Sequence, residues 1–75
     1  MGKRETKRKV GQVKFGYWDH VRYMIIYDLD SIDVYYQIAG TAFQFAFGIP
    51  HKDGIDTAEL LAVLNVDMVE MMFHE

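Results

Sequence analysis

A chain of 75 residues without a single cysteine has few ways to hold itself together. A domain of this size buries only about 60% of the surface its unfolded chain exposes, so its core is small. Disulfides and thiolate zinc sites, the usual reinforcements of small domains, are both unavailable. His20, His51 and His74 have no thiol company, and we expect neither a metal site nor a cofactor. The remaining aid is association with a second copy or a partner.

Charge divides the chain in two. Residues 1–9 carry Lys3, Arg4, Lys7, Arg8 and Lys9 against Glu5, a net +4, whereas residues 10–75 carry Lys14, Arg22 and Lys52 against ten acids, a net −7. After Met1 the first segment has no apolar residue with which to offset its ordering entropy, so 1–9 reads as a flexible basic arm. Residues 10–75 read as a single small α+β domain, and all eleven aromatics lie there.

Within that domain Val13, Phe15 and Tyr17 alternate with Lys14, Gly16 and Trp18, which suggests a strand with the first set inward. Asp19-His20 reads as a turn. Val21 to Asp28 is β-branched and aromatic, with Val21, Tyr23, Ile25 and Tyr27 on one face. Asp28-Leu29-Asp30-Ser31 follows as a second turn. Ile32 to Phe47 fits a helical period in part. The strict alternation of Phe43, Phe45 and Phe47 and the presence of Gly40 favour two strands, turning near Ala39-Gly40-Thr41.

Gly48 to Ile55 reads as a loop, with two glycines and the only proline. A helix should follow, capped by Asp56 with Glu59 three residues on. At 100° per residue Leu60, Leu61, Leu64, Met68, Met71 and Met72 form one stripe, expected to face the sheet. Ala62, Val66, Val69 and Phe73 form a second apolar strip nearly opposite. An interface would explain that strip, and so would a break near Asn65 or simple exposure. The expected fold is therefore α+β, a three- to four-stranded antiparallel sheet followed by a C-terminal helix packed on one face.

Candidate chemistry is sparse. Tyr23 to Asp30 is an apolar strand ending in Asp-x-Asp, and it resembles the first motif of haloacid-dehalogenase-like phosphatases. That resemblance implies Asp28 as nucleophile, Asp30 as acid/base and a bound Mg²⁺. Ser31-Ile32 departs from the Gly-Thr of that family, and the chain has no room for its large domain and later motifs. Asp28, Asp30 and Asp33 also suggest a calcium loop, but the glycine and distant glutamate of an EF-hand are missing. His51 alone makes neither a triad nor a metal site. Trp18 and the tyrosines could form a stacking platform, but burial in the core is their default role.

The sequence thus points to a non-enzymatic binding or regulatory protein that acts through protein–protein contacts. Val66, Val69, Phe73, Glu59, Glu70 and Trp18 are its expected partner-binding residues. The partner is the chain itself, or a larger protein, such as one that processes nucleic acid, inhibited by the acidic surface. The alternatives are nucleic-acid association through Lys3, Arg4, Lys7, Arg8 and Lys9, and Mg²⁺-dependent phosphotransfer at Asp28 and Asp30. The longest uncharged stretch, Val34 to Pro50, is too short and too polar to span a membrane. The charged start is followed by no apolar segment of a secretory signal, and with the lack of cysteine this suggests a cytoplasmic, non-membrane protein.

Overall fold

A computed structural model describes residues 11–38 and 40–73, with positions 70, 72 and 73 described by backbone alone. The expected arm lies outside these residues. Four strands, β1 (Val13–Trp18), β2 (Val21–Tyr27), β3 (Ile32–Ile38) and β4 (Gln44–Ile49), form an antiparallel meander in the order β1-β2-β3-β4. A 3₁₀ turn (His51–Asp53) leads into α1 (Ile55–Leu64) and α2 (Val66–Phe73). The fold is α+β, as the sequence predicts, and the 32–47 segment is a strand hairpin.

The turns follow from local chemistry. Asp19 and His20 both have positive φ, 52° and 57°, the backbone of a two-residue hairpin loop whose twist matches that of its strands. Asp and His accept this left-handed region more readily than bulky residues do. Between β2 and β3, the Asp28 N–H donates to the Ser31 carbonyl at 2.8 Å, and the Leu29 N–H donates to Asp28 Oδ1 at 2.7 Å. After β3, Gly40 takes φ 83° and the Thr41 hydroxyl donates to the Ile38 carbonyl at 2.7 Å.

The core lies between the sheet and the helices. Val21, Tyr23 and Ile25 from β2 and Ile32, Val34 and Tyr36 from β3 meet Ala58, Ala62, Val66 and Val69. Each large side chain fully buried there contributes roughly 1.5–3 kcal/mol. The inward face of β2 is the one read from the sequence. The helical layer is reversed: Ala58, Ala62, Val66 and Val69 face the sheet, while Leu60, Leu64, Met68 and Met71 are exposed. The cause is volume. Rings of Tyr23 and Tyr36 fill the interlayer space, and the Tyr36 hydroxyl donates to the Ala62 carbonyl at 2.6 Å, so the nearest helical positions must be small.

β1 is reversed for a related reason. Its outward residues are Val13, Phe15 and Tyr17, not the inward set the alternation suggests. Gly16 pairs with Tyr23, and a Cβ on Gly16 would fall 2.0 Å from Tyr23 Cζ, so the tyrosine ring occupies the place of a side chain. Two smaller corrections and one choice between the alternatives above concern the second half of the chain. Gly48 and Ile49 belong to β4 and Ile55 to α1, which shortens the expected loop. The N-cap is Gly54, at φ 86° and without a side-chain bond, and Asp56 sits inside the first turn instead of capping it. The helical run breaks at Asn65, the second explanation offered above for the apolar strip.

Candidate functional site

The Asp-x-Asp loop is a braced turn. Asp28 Oδ1 accepts from the Leu29 N–H, and Asp33 Oδ1 accepts from the Ser31 hydroxyl at 2.5 Å. His51 Nε2 lies 2.6 Å from the Asp28 carbonyl and 3.2 Å from that of Ser31, so it carries the proton and donates. Its ring stacks on Tyr27 with centroids 4.6 Å apart and planes 10° apart. This arrangement pins the segment after β4 to the β2–β3 turn. Among the described residues no group of three or more His, Asp or Glu side chains could hold a metal ion.

Glu59 is drawn toward the sheet. Its Oε1 meets Lys14 Nζ of β1 at 2.6 Å, and its Oε2 accepts from the Tyr23 hydroxyl at 2.8 Å. The bond from Lys14 and then that from Tyr23 hold the Glu59 carboxyl below the usual carboxylate range. The same contact raises the Lys14 ammonium. Burial, followed by the Glu59 bond, pushes Tyr23 up to about 12. Glu59 is thus a strut between α1 and the edge strand, and its expected partner-binding role gives way to an internal one.

The other expected partner-binding residues do not gather into one surface. Val66 and Val69 are buried beneath the helices, so they are corrected from interface to core. The Phe73 and Glu70 side chains and the arm residues lie outside what the structure describes. Trp18 is 53% exposed and shares its face with Val21, on the helix side of the sheet.

A different surface emerges on the side of the sheet facing away from the helices. Strand register aligns Phe15, Met24, Tyr35 and Phe45 in one row across all four strands. Tyr17, Arg22 and Gln37 align on one side of it, and Val13, Ile26 and Asp33 on the other. Phe15 is 65% and Tyr17 63% exposed. Phe45 meets Tyr35 edge-on at 5.6 Å, and Phe43 reaches Phe15 at 6.2 Å. Phe15, Gly16, Tyr17 and Arg22 line an open recess of about 320 Å³. Arg22 and Asp33 are the charged residues of these rows.

Sequence reasoning missed this face because it set Phe15 and Tyr17 inward. The usable signal was Gly16: a glycine between two aromatics marks the side on which another ring must lie. The expectation that Trp18 and the tyrosines are core holds for Tyr23 and Tyr36 and fails for Trp18 and Tyr17.

No family model, curated protein or solved structure matches the chain. Among the described residues no helix is long and apolar enough to cross a membrane.

Proposed function

We propose that this chain is a small non-enzymatic binding protein that acts through protein–protein contacts, and that its first partner is a second copy of itself. The observation that carries this reading is the row Phe15, Met24, Tyr35 and Phe45, which no other layer covers among the described residues. Sheets bury such faces against one another about 10 Å apart.

A two-fold axis along the row stacks it on itself and reverses the strands of the second copy. The Arg22 end of one sheet then lies over the Asp33 end of the other, and each charge approaches its complement. Four strands about 4.8 Å apart and six residues of about 3.3 Å give roughly 400 Å² per copy, closer to a transient than a permanent interface. The acidic body, −7 over 10–75, suits such a dimer to a basic site on a larger protein, which it would regulate or inhibit. A cysteine-free composition agrees with a reducing, cytoplasmic setting.

Sedimentation over a concentration series tests the reading. Wild type should pass from monomer to dimer, Phe15→Asp should remain monomeric, and Arg22→Asp should weaken the dimer until Asp33→Arg restores it. A wild type that remains monomeric up to about 0.5 mM sinks the proposal.

One observation favours a second reading. Exposed Phe15 and Tyr17 stand beside Arg22, an arrangement suited to stacking bases and meeting a phosphate, and the basic arm lies close in sequence. Single-stranded DNA or RNA that binds at low salt, and is lost with residues 1–9 or with Tyr17→Ala, would favour that reading.

A further inference from the structure

The helical layer exposes the larger of its two apolar strips. Leu60, Leu64, Met68 and Met71 follow one another at spacings of four, four and three residues, and Leu64 and Met71 are 67% and 76% exposed. The strip runs over the Asn65 break, with Leu60 and Leu64 on α1 and Met68 and Met71 on α2. The Asn65 N–H donates to the Leu61 carbonyl and the Val69 N–H to the Asn65 carbonyl, both at 3.0 Å, which closes the last turn of one helix and the first of the other. From Leu60 to Met71 the strip advances by eleven residues, a ridge of roughly 16 Å at about 1.5 Å each. Residues 55–73 contain Asp56, Glu59, Asp67 and Glu70 and no Lys, Arg or His, and with Glu59 paired to Lys14 the carboxylates that can meet a partner include Asp56 and Asp67. Asp56 precedes Leu60 by one turn, Asp67 lies between Leu64 and Met71 in sequence, and both are exposed.

We infer that this ridge docks a basic amphipathic helix of a partner protein. Apolar residues of the partner at i, i+4 and i+7 spacing would lie along Leu60, Leu64, Met68 and Met71, with Lys or Arg on their flanks opposite Asp56 and Asp67. The flexible thioethers of Met68 and Met71 accommodate varied apolar side chains. Charge argues against the other occupants. A second copy would set acid against acid, and the basic arm has no apolar residue after Met1 to lay on the ridge. This surface lies on the opposite layer from the aromatic sheet face, so it stands or falls independently of self-association there.

A fluorescent peptide of about 18 leucines and lysines arranged as an amphipathic helix is a direct probe, read by anisotropy. Two control peptides accompany it: the same composition with leucines spread around the helix, and the same pattern with glutamate replacing lysine. The first peptide should bind at least about tenfold more tightly than either control, and more weakly as salt rises.

Leu64→Glu should weaken it by about tenfold or more without changing the melting temperature, although the substitution adds an acid and would strengthen a purely electrostatic contact. Asp67→Lys should weaken binding and flatten its salt dependence, and Phe15→Asp should leave it unchanged. The inference is overturned by equal binding of the scrambled peptide, by Leu64→Glu binding as well as wild type, or by no binding at about 100 μM. It is also overturned if Leu64→Glu dissociates a dimer, because the ridge is then covered by a second copy.

Discussion

Replacing Ala62 by Leu and, separately, Leu64 by Ala tests which way the helices face. Ala62 is fully buried, and its carbonyl is tied to the Tyr36 hydroxyl at 2.6 Å, so the backbone there cannot retreat freely. Three added carbons would push into the Tyr36 ring or lift the helix from it. Overpacking of this kind costs about 1–3 kcal/mol, and loss of the buried hydrogen bond adds about 0.5–1.5 kcal/mol. Leu64 is 67% exposed, so its truncation should cost no more than about 0.5 kcal/mol, far below the 2–5 kcal/mol of a core Leu→Ala change. At about 4–8 °C per kcal/mol for a domain of this size, Ala62→Leu should melt at least about 6 °C lower and Leu64→Ala within about 4 °C of wild type. Urea and thermal unfolding by far-UV circular dichroism read both variants. If Leu64→Ala proves the more damaging, the facing derived from the tyrosine rings is wrong.

Gly16→Ala should destabilise the protein by about 1–3 kcal/mol, because the new Cβ displaces the Tyr23 ring; the Tyr23→Phe background should not rescue it, and Tyr23→Ala should. The Glu59 carboxyl titrates below its ordinary value of 4.5, so its contribution is intact above pH 4.5 and lost as pH falls through the folded value. Urea midpoints taken down the acid range should therefore fall less steeply in Glu59→Gln. Tyr23 and Tyr36 are both raised from 10.0 to about 12, so their contributions are complete below pH 10 and lost between 10 and 12. Phenolate absorbance should report this alkaline transition, and Tyr36→Phe should shift part of it; a Tyr36→Phe profile identical to wild type would contradict the burial of its hydroxyl.

Local signals carried most of the architecture. The β-branched run at Val21–Tyr27, the turn formers at Asp19-His20 and 28–31, and the alternation around Phe45 each act within a few residues, and all four strands follow from them. Which face of β1 and of the helices turns inward does not follow, because both faces of the helical run are apolar and in β1 the more apolar face, Val13, Phe15 and Tyr17, is the one that points outward. That choice depends on Tyr23 and Tyr36, distant in sequence, whose rings leave room only for Gly16, Ala58 and Ala62. The candidate surfaces were illegible for the same reason: with the facing reversed, the true exposed strips were counted as core. Glu59 was misread as surface because its partner Lys14 is 45 residues away.

The shift in register between β3 and β4 bears on how this sequence can change over generations. Val34 pairs with Phe47 and Tyr35 with Phe45, so Ala46 is an extra residue set against two partners already matched. In an unbroken strand Phe45 and Phe47 would share a side. Here Phe45 lies with Tyr35 on the open face while Phe47 packs against the core near Tyr36. Deleting codon 46 would join Phe45 to Phe47 in plain alternation and leave both rings on the sides they already occupy. Deleting Phe45 or Phe47 instead would remove a ring from one of those two faces. Length variation of one residue in this strand should therefore be tolerated at position 46 before its neighbours, whichever surface selection acts upon.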